Sequence, residues 1–238
     1  MFHPKGPTFF ELARQALSST ERGYDLLAPK FDFTPFRTPQ SIIDAVGPYV
    51  GGDRGIDAAL DLCCGTGAAM RMLRPQCRRR VVGIDFSCGM LEVAQTALAD
   101  APGNAAIELV RGDVLDMPWE AEFDVAVCFG ALGHILPRDE PRFVSQIHKV
   151  LRPGGRFLFP TTYLPPHGSA AYWLCRGFNA AMHVRNALFS PSFIMFYLTF
   201  LLPEAARMLE DAGFGVEVKD DVFAPRFRAL KLVIATRR

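Results

Sequence analysis

The run Leu60-Asp61-Leu62-Cys63-Cys64-Gly65-Thr66-Gly67 constrains this chain more than any other feature, because it ends an apolar segment on an acid and turns through glycines into a helical stretch. An apolar strand feeding a tight turn and a helix is the repeating unit of a parallel α/β sheet. The pattern recurs downstream. Residues 59–62, 81–85, 107–110, 123–129 and 156–159 are short apolar runs of the kind buried on both faces of a parallel sheet. Helical stretches separate them. Ser87 is placed to cap a helix carrying Met90, Leu91 and Ala94 on its buried face. Residues 140–151 read as another helix, stopped by Arg152-Pro153-Gly154-Gly155.

The last third of the chain changes character. Residues 203–212 read as a helix with Pro203 in its first turn and Gly213 after its end. Two strands follow, 214–219 and 229–236, joined by only nine residues. That is too short for a helical crossover, so the last strand is expected to run antiparallel. Two regions fall outside the alternation: 1–57, with helices expected near 9–18 and 40–50, and an aromatic insert over 163–202. The expected organisation is an N-terminal helical cap (1–57), a core (58–162), a substrate-cap insert (163–202) and the C-terminal part of the core (203–238).

Composition narrows the function classes. Half of the 238 residues are hydrophobic, and 26 basic against 25 acidic side chains leave a net charge of +1, which gives no electrostatic reason to expect nucleic acid as a partner. The basic run Arg78-Arg79-Arg80 reads as a solvated helix end. None of the six cysteines forms a Cys-x-x-Cys pair and no histidine spacing suggests zinc, so no metal is expected. The opening MFHPKGPTFF has no long apolar stretch of the signal-peptide kind, and a cytoplasmic location is the expectation. Residues 187–202 carry no formal charge, but these 16 residues fall short of the roughly 20 that span a bilayer. With Pro191 among them they read as a buried or lid helix, without stable membrane insertion.

The glycine turn carries the chemistry. Glycines let a ligand approach the backbone, and the start of a helix offers N–H donors to an anion. A dinucleotide-binding turn wants Gly-x-Gly-x-x-Gly, yet Gly65-Thr66-Gly67 is followed by Ala68-Ala69-Met70. Asp61, four residues before the first glycine, suits an ammonium better than a pyrophosphate. The methionyl end of S-adenosylmethionine carries both an ammonium and a carboxylate. Asp85 ends the second strand, 18 residues after Gly67, where a carboxylate can accept from both hydroxyls of a ribose. Asp113 follows the third strand and could accept from an adenine amino group, with Phe86, Met90 and Val114 around the ring.

Taken together, LDLCCGTG (60–67), VVGIDFSCGMLEVA (81–94), RGDVLDMPW (111–119), FDVAVCFGALGHI (123–135), LRPGGRFLF (151–159) and PEAARMLEDAGFGVEV (203–218) resemble the class I S-adenosylmethionine-dependent methyltransferases, nearest the ubiquinone/menaquinone-biosynthesis type. The resemblance covers roughly residues 20–160 and 203–238, and leaves the insert unassigned. It implies a Rossmann-like, seven-stranded, mostly parallel sheet with an antiparallel last strand, helices on both faces and a helical cap. It also implies methyl transfer from S-adenosyl-L-methionine to a small, lipophilic or aromatic acceptor. By carry-over Asp61, Gly65 and Gly67 bind the methionyl part, Asp85 the ribose, and Asp113 and Val114 the adenine. Phe129 and Gly130 border the sulfonium, and Tyr24 matches the aromatic of an N-terminal helix that closes over the methionyl carboxylate. Cys63 stands where many members have a first glycine.

Methyl transfer needs positioning and exclusion of water, and a base only if the acceptor must lose a proton early. His134 is the candidate base, with His167 and His183 in the insert as others. The aromatic residues Tyr172, Trp173, Phe178, Phe189, Phe193, Phe196, Tyr197 and Phe200 suggest a greasy acceptor pocket; a homodimer interface is the other use for such a stripe. Two other functions fit parts of the pattern. An NAD-dependent oxidoreductase is opposed by the missing third glycine, and a cofactor-binding scaffold without turnover shares every motif.

Overall fold

The computed structural model describes residues 3–51 and 55–238. Residues 1–2 and 52–54 of the expected N-terminal cap lie outside the described residues. Seven strands form one sheet: β1 (Ile56–Leu62), β2 (Cys77–Asp85), β3 (Ala106–Arg111), β4 (Phe123–Cys128), β5 (Leu151–Thr161), β6 (Phe214–Lys219) and β7 (Lys231–Arg237). Their order is β3-β2-β1-β4-β5-β7-β6. β7 alone is antiparallel, pairing Phe159 with Val233 on one side and Val218 with Val233 on the other. The short connection, residues 220–230, thus gives the expected hairpin.

The strands read as continuous apolar runs because helices cover both faces. Leu60, Leu62, Val82, Ile84 and Ala126 pack into one core with Phe143 and Ile147 of helix α6 (Glu140–Val150). The alternate residues Ala59, Val81 and Val125 pack into the other core. There they meet Ile43 and Val46 of α3 (Gln40–Val50), Met70 of α4 (Ala68–Leu73) and Ala94 of α5 (Cys88–Ala97). The strand order reverses between β1 and β4, and the crevice outside their carboxyl ends is where open α/β sheets bind ligands.

Three further helices complete the chain: α1 (Phe9–Ala16), α2 (Thr20–Leu27) and α8 (Glu204–Asp211). The insert contributes α7 (Ala170–Leu188). The lid helix expected over 187–202 is absent. α7 ends where that segment starts, and residues 189–202 run as an irregular strap. Pro191 brings no N–H to a helix there, and the strap's backbone finds partners across the fold instead. Asn186 accepts from the Phe193 N–H at 2.9 Å and donates to its carbonyl at 3.0 Å. Asn179 does the same for Tyr197, at 2.8 Å each way.

The basic run is also corrected. Arg78, Arg79 and Arg80 lie in strand β2, not at a helix end. Neighbouring strand ends supply acids that match them: Arg78 pairs with Asp57 at 3.5 Å, and Arg80 with Glu108 at 3.2 Å and with Glu122. Cross-strand pairing of charges stabilises the register that places the apolar half of β2 in the core.

Candidate cofactor site

The turn after β1 is built on left-handed backbone. Cys63, Gly65 and Gly67 have φ of 55°, 51° and 85°. Gly67 is required twice over, since a Cβ there would also lie 2.8 Å from the Leu98 side chain. Cys63 adopts a conformation costing an L residue about 1–2 kcal/mol. Cys63→Gly should therefore unfold within a few degrees of the parent, relief of strain offsetting lost packing. The β-branched Cys63→Val should lose about 1 kcal/mol more than the parent, roughly 2–4 °C in Tm. A Val variant melting with the parent would contradict this account of the turn.

A cavity with about 760 Å³ of empty space, its mouth included, lies above this turn. Of the residues expected from sequence, Tyr24, Asp61, Cys63, Gly65 and Asp85 line it. Phe86, Met90, Phe129, Gly130 and His134 line it as well. Three do not. Gly67 caps α4. Asp113 accepts from the Leu115 N–H at 2.9 Å in an Asx-turn, and Val114 is buried in the core.

Asp61 is 2% exposed, and its Oδ2 is buried without a hydrogen-bond partner. Burial first, and the Asp85 carboxylate second, push its carboxyl well above the usual range, against one opposing hydrogen bond from the Met70 backbone. An orphan carboxylate aimed into a cavity is costly unless a cationic donor joins it. Asp85 is better served: its Oδ2 accepts from Gly65 N–H and its Oδ1 from Ser87 N–H, both at 2.9 Å. Burial still raises its carboxyl despite these donors.

The N-terminal elements close over the cavity. Asp25 of α2 accepts from the Ser87 hydroxyl at 2.6 Å and the Gly89 N–H at 2.9 Å. Tyr24 reaches His134, Oη to Nε2, at 2.7 Å. The other ring nitrogen of His134 lies 2.5 Å from the Ile194 carbonyl, which only accepts. Nδ1 therefore carries the proton, and Nε2 accepts from the Tyr24 hydroxyl. Burial depresses the His134 imidazole and raises the Tyr24 phenol, the latter with help from the Asp85 charge.

Several wall residues had no signal in sequence. Phe31 comes from a short 3-10 helix (Ala28–Phe33) and Phe36, Arg37 and Thr38 from the loop after it, between α2 and α3, where the sequence shows no α-helical or strand period. Arg37 is held by Asp32 at 3.0 Å and by Gln40, and Asp32 also accepts from Thr66 of the glycine turn at 2.8 Å. No residue of 163–202 lines the cavity among the described residues. Phe193, Phe196 and Phe200 are buried as anchors of the strap, with Phe193 stacked on Tyr24 at 6.3 Å, while Trp173 and Phe189 face outward. Burial pushes the Cys128 thiol up to about 12, and all six cysteines are free.

Residues 59–155 match the model of a family described as a methyltransferase domain. The 2-phytyl-1,4-naphtoquinone methyltransferase of Nostoc punctiforme is 38% identical over 103 residues, 42% of this chain and 44% of that protein. The demethylmenaquinone methyltransferase of Staphylococcus aureus is 33% identical over 172 residues, 66% of this chain and 67% of that protein. The chain thus spans less than half the length of the first relative. An O-methyltransferase family protein from Burkholderia thailandensis shares the fold with a TM-score of 0.69 at 19% identity, over 96% of this chain and 68% of that one.

Proposed function

Since this chain belongs to the S-adenosylmethionine-dependent methyltransferases, we propose that it transfers a methyl group to a small quinone-like acceptor in the cavity above β1 and β4. The observation that carries the reading is the unpartnered Oδ2 of buried Asp61, facing a cavity walled by Tyr24, Phe86 and Phe129. The donor set suits a cation. Asp61 and Asp85 outnumber Arg37, whose charge Asp32 already meets.

When bound, S-adenosylmethionine supplies a methyl carbon activated by its sulfonium. The rest falls to this chain. Asp61 takes the ammonium, and the turn of Cys63 and Gly65, closed by Gly67, takes the carboxylate end. Asp85 accepts from the ribose hydroxyls. Phe86 and Met90 flank the adenine, with Asp113 and Val114 in the adjoining loop, where Gly112 N–H donates to the Asp85 carbonyl at 3.0 Å. Phe129 and Gly130 border the reacting sulfonium. The cap of residues 1–57 shapes the acceptor side, and the insert 163–202 braces it through Phe193. The similarity to naphtoquinone and menaquinone methyltransferases supports an acceptor of this class.

An acceptor hydroxyl at this wall meets Tyr24 first. Its proton passes to the Tyr24 oxygen as the Tyr24 proton passes to His134 Nε2. The imidazolium so formed is held by the Ile194 carbonyl. Tyr24→Phe leaves Nε2 free to accept directly but misplaced, so kcat should fall about tenfold, less than the full worth of a general base. The assay is methyl transfer from labelled cofactor to reduced naphthoquinones and hydroxylated aromatics. Undiminished turnover in Tyr24→Phe would remove the relay, and no transfer to any such acceptor would remove the acceptor class.

A further inference from the structure

Two outer helices, α1 of the cap and α7 of the insert, turn large apolar side chains outward. A helix on a globular surface buries its apolar stripe and exposes polar residues. In α1 the buried residue is Gln15, while Phe9 and Phe10 are 74% and 82% exposed. In α7 the half-buried side carries Tyr172, Phe178 and Met182 together with Asn179, Arg185 and Asn186, the last three bonded to the strap and to the end of α1. Its outward side carries Trp173, Leu174, Val184 and Leu188, at 65%, 77%, 58% and 71% exposure, among alanines. Arg185 donates to the carbonyls of Ala16 at 2.7 Å and Ser18 at 2.8 Å, tying the carboxyl ends of the two helices together. Exposed Leu17, Leu188 and Phe189 flank that junction.

Charge identifies the occupant. Between Glu140 and Glu204 the sequence has no acidic side chain, so Arg176 and Arg185 are the formal charges of α7. Around α1 stand exposed Lys5 and Arg14, and the acid there, Glu11, is already paired with Lys30 at 2.7 Å. A second copy of the chain would meet this face through the same face, cation against cation. An anionic bilayer meets it with opposite charge and accepts the aromatic and aliphatic side chains at the headgroup boundary. Among the described residues no helix is long and apolar enough to cross a membrane, so the face rests on the surface.

We propose that the outward faces of α1 and α7 dock this protein on an anionic phospholipid surface, with Trp173, Leu174, Phe9 and Phe10 entering the headgroup boundary and Arg14 and Arg176 meeting lipid phosphates. The cap elements α2 and the strap lie directly beneath, so a lipophilic acceptor would reach the cavity from the bilayer side.

The test is sedimentation of the full chain with vesicles, without cofactor or acceptor, so its outcome is separate from that of the methyl-transfer assay. Vesicles of phosphatidylcholine with 30% phosphatidylglycerol should bind at least about tenfold more tightly than pure phosphatidylcholine, and high salt should remove most of the difference. Trp173→Ser combined with Leu174→Ser should weaken anionic-vesicle binding about tenfold while leaving Tm unchanged, because both side chains face solvent. Absent binding, equal binding to both vesicles, or a variant that binds like the parent would overturn the proposal. So would a parent dimer that the same variant turns into a monomer, because the face would then belong to a second copy.

Discussion

Asp61→Asn should raise the unfolding temperature of the unliganded protein while lowering its affinity for S-adenosylmethionine about tenfold to a hundredfold. Both effects have one cause. The Asp61 carboxylate is buried with Oδ2 unpartnered, and its neighbour Asp85 adds like charge. A neutral amide of the same shape escapes the desolvation cost, about 1–3 kcal/mol, or roughly 2–10 °C for a chain of this size. The same exchange removes a charge-assisted bond to the ligand ammonium, worth about 1.5–3 kcal/mol.

The pH dependence follows in sign. Because the folded-state pKa of Asp61 lies above its unfolded value, the penalty is absent in acid, where both states are protonated. It grows as pH rises above about 4 toward the folded pKa. Parent stability should therefore fall across that window, and the Asn variant should lack much of the slope. Cofactor affinity should rise over the same window with release of a proton, since the ammonium pairs only with the ionised carboxyl. Calorimetry in buffers of different ionisation heat reads that proton directly. A variant that binds like the parent, or melts below it, would show that the carboxylate serves the fold and not the ligand.

Phe200→Ala should destabilise the protein by about 3–5 kcal/mol, a large share of the 5–15 kcal/mol typical of a whole domain. The sequence places Phe200 in an acceptor stripe, but its ring is 4% exposed and packs against Phe143 and Phe159, with centroids at 6.1 and 5.3 Å. Its backbone is fixed as well: the N–H donates to Glu140 at 3.1 Å and the carbonyl accepts from Thr161 at 2.9 Å. Removing the ring leaves a cavity that this pinned backbone cannot close. Urea unfolding gives the loss, and acceptor KM measured where the variant is still folded should be unchanged. A loss below about 1 kcal/mol with a raised KM would restore Phe200 to the acceptor wall.

The parallel sheet, its antiparallel last strand and the crevice at the strand ends are legible in the sequence because they depend on short-range signals. Apolar runs ending in Asp61 and Asp85 mark strand ends, and the parallel crossovers bring those ends together without further information. The N-terminal wall was legible only at Tyr24. Phe31, Phe36 and Arg37 sit in a short 3-10 helix and the loop after it, whose placement depends on tertiary bonds such as that from Thr66 to Asp32. The strap failed as a helix for a related reason. Residues 189–202 are apolar and uncharged, but Asn179, Asn186, Thr20 and Glu140, distant in sequence, capture their backbone groups. Asp113 shows the limit of motif reasoning: it lies two residues beyond the end of β3, and its carboxylate turns back to the Leu115 N–H.

Asp61 and Asp85 are the two proposed polar anchors of S-adenosylmethionine, and titration calorimetry of the full chain with that ligand tests this most directly. The expected result is saturation at one ligand per chain, with affinity about tenfold or more weaker in a folded Asp85→Ala variant, since two ribose hydroxyls lose their acceptor. No saturable binding by the parent, or equal affinity in parent and Asp85→Ala, would contradict it.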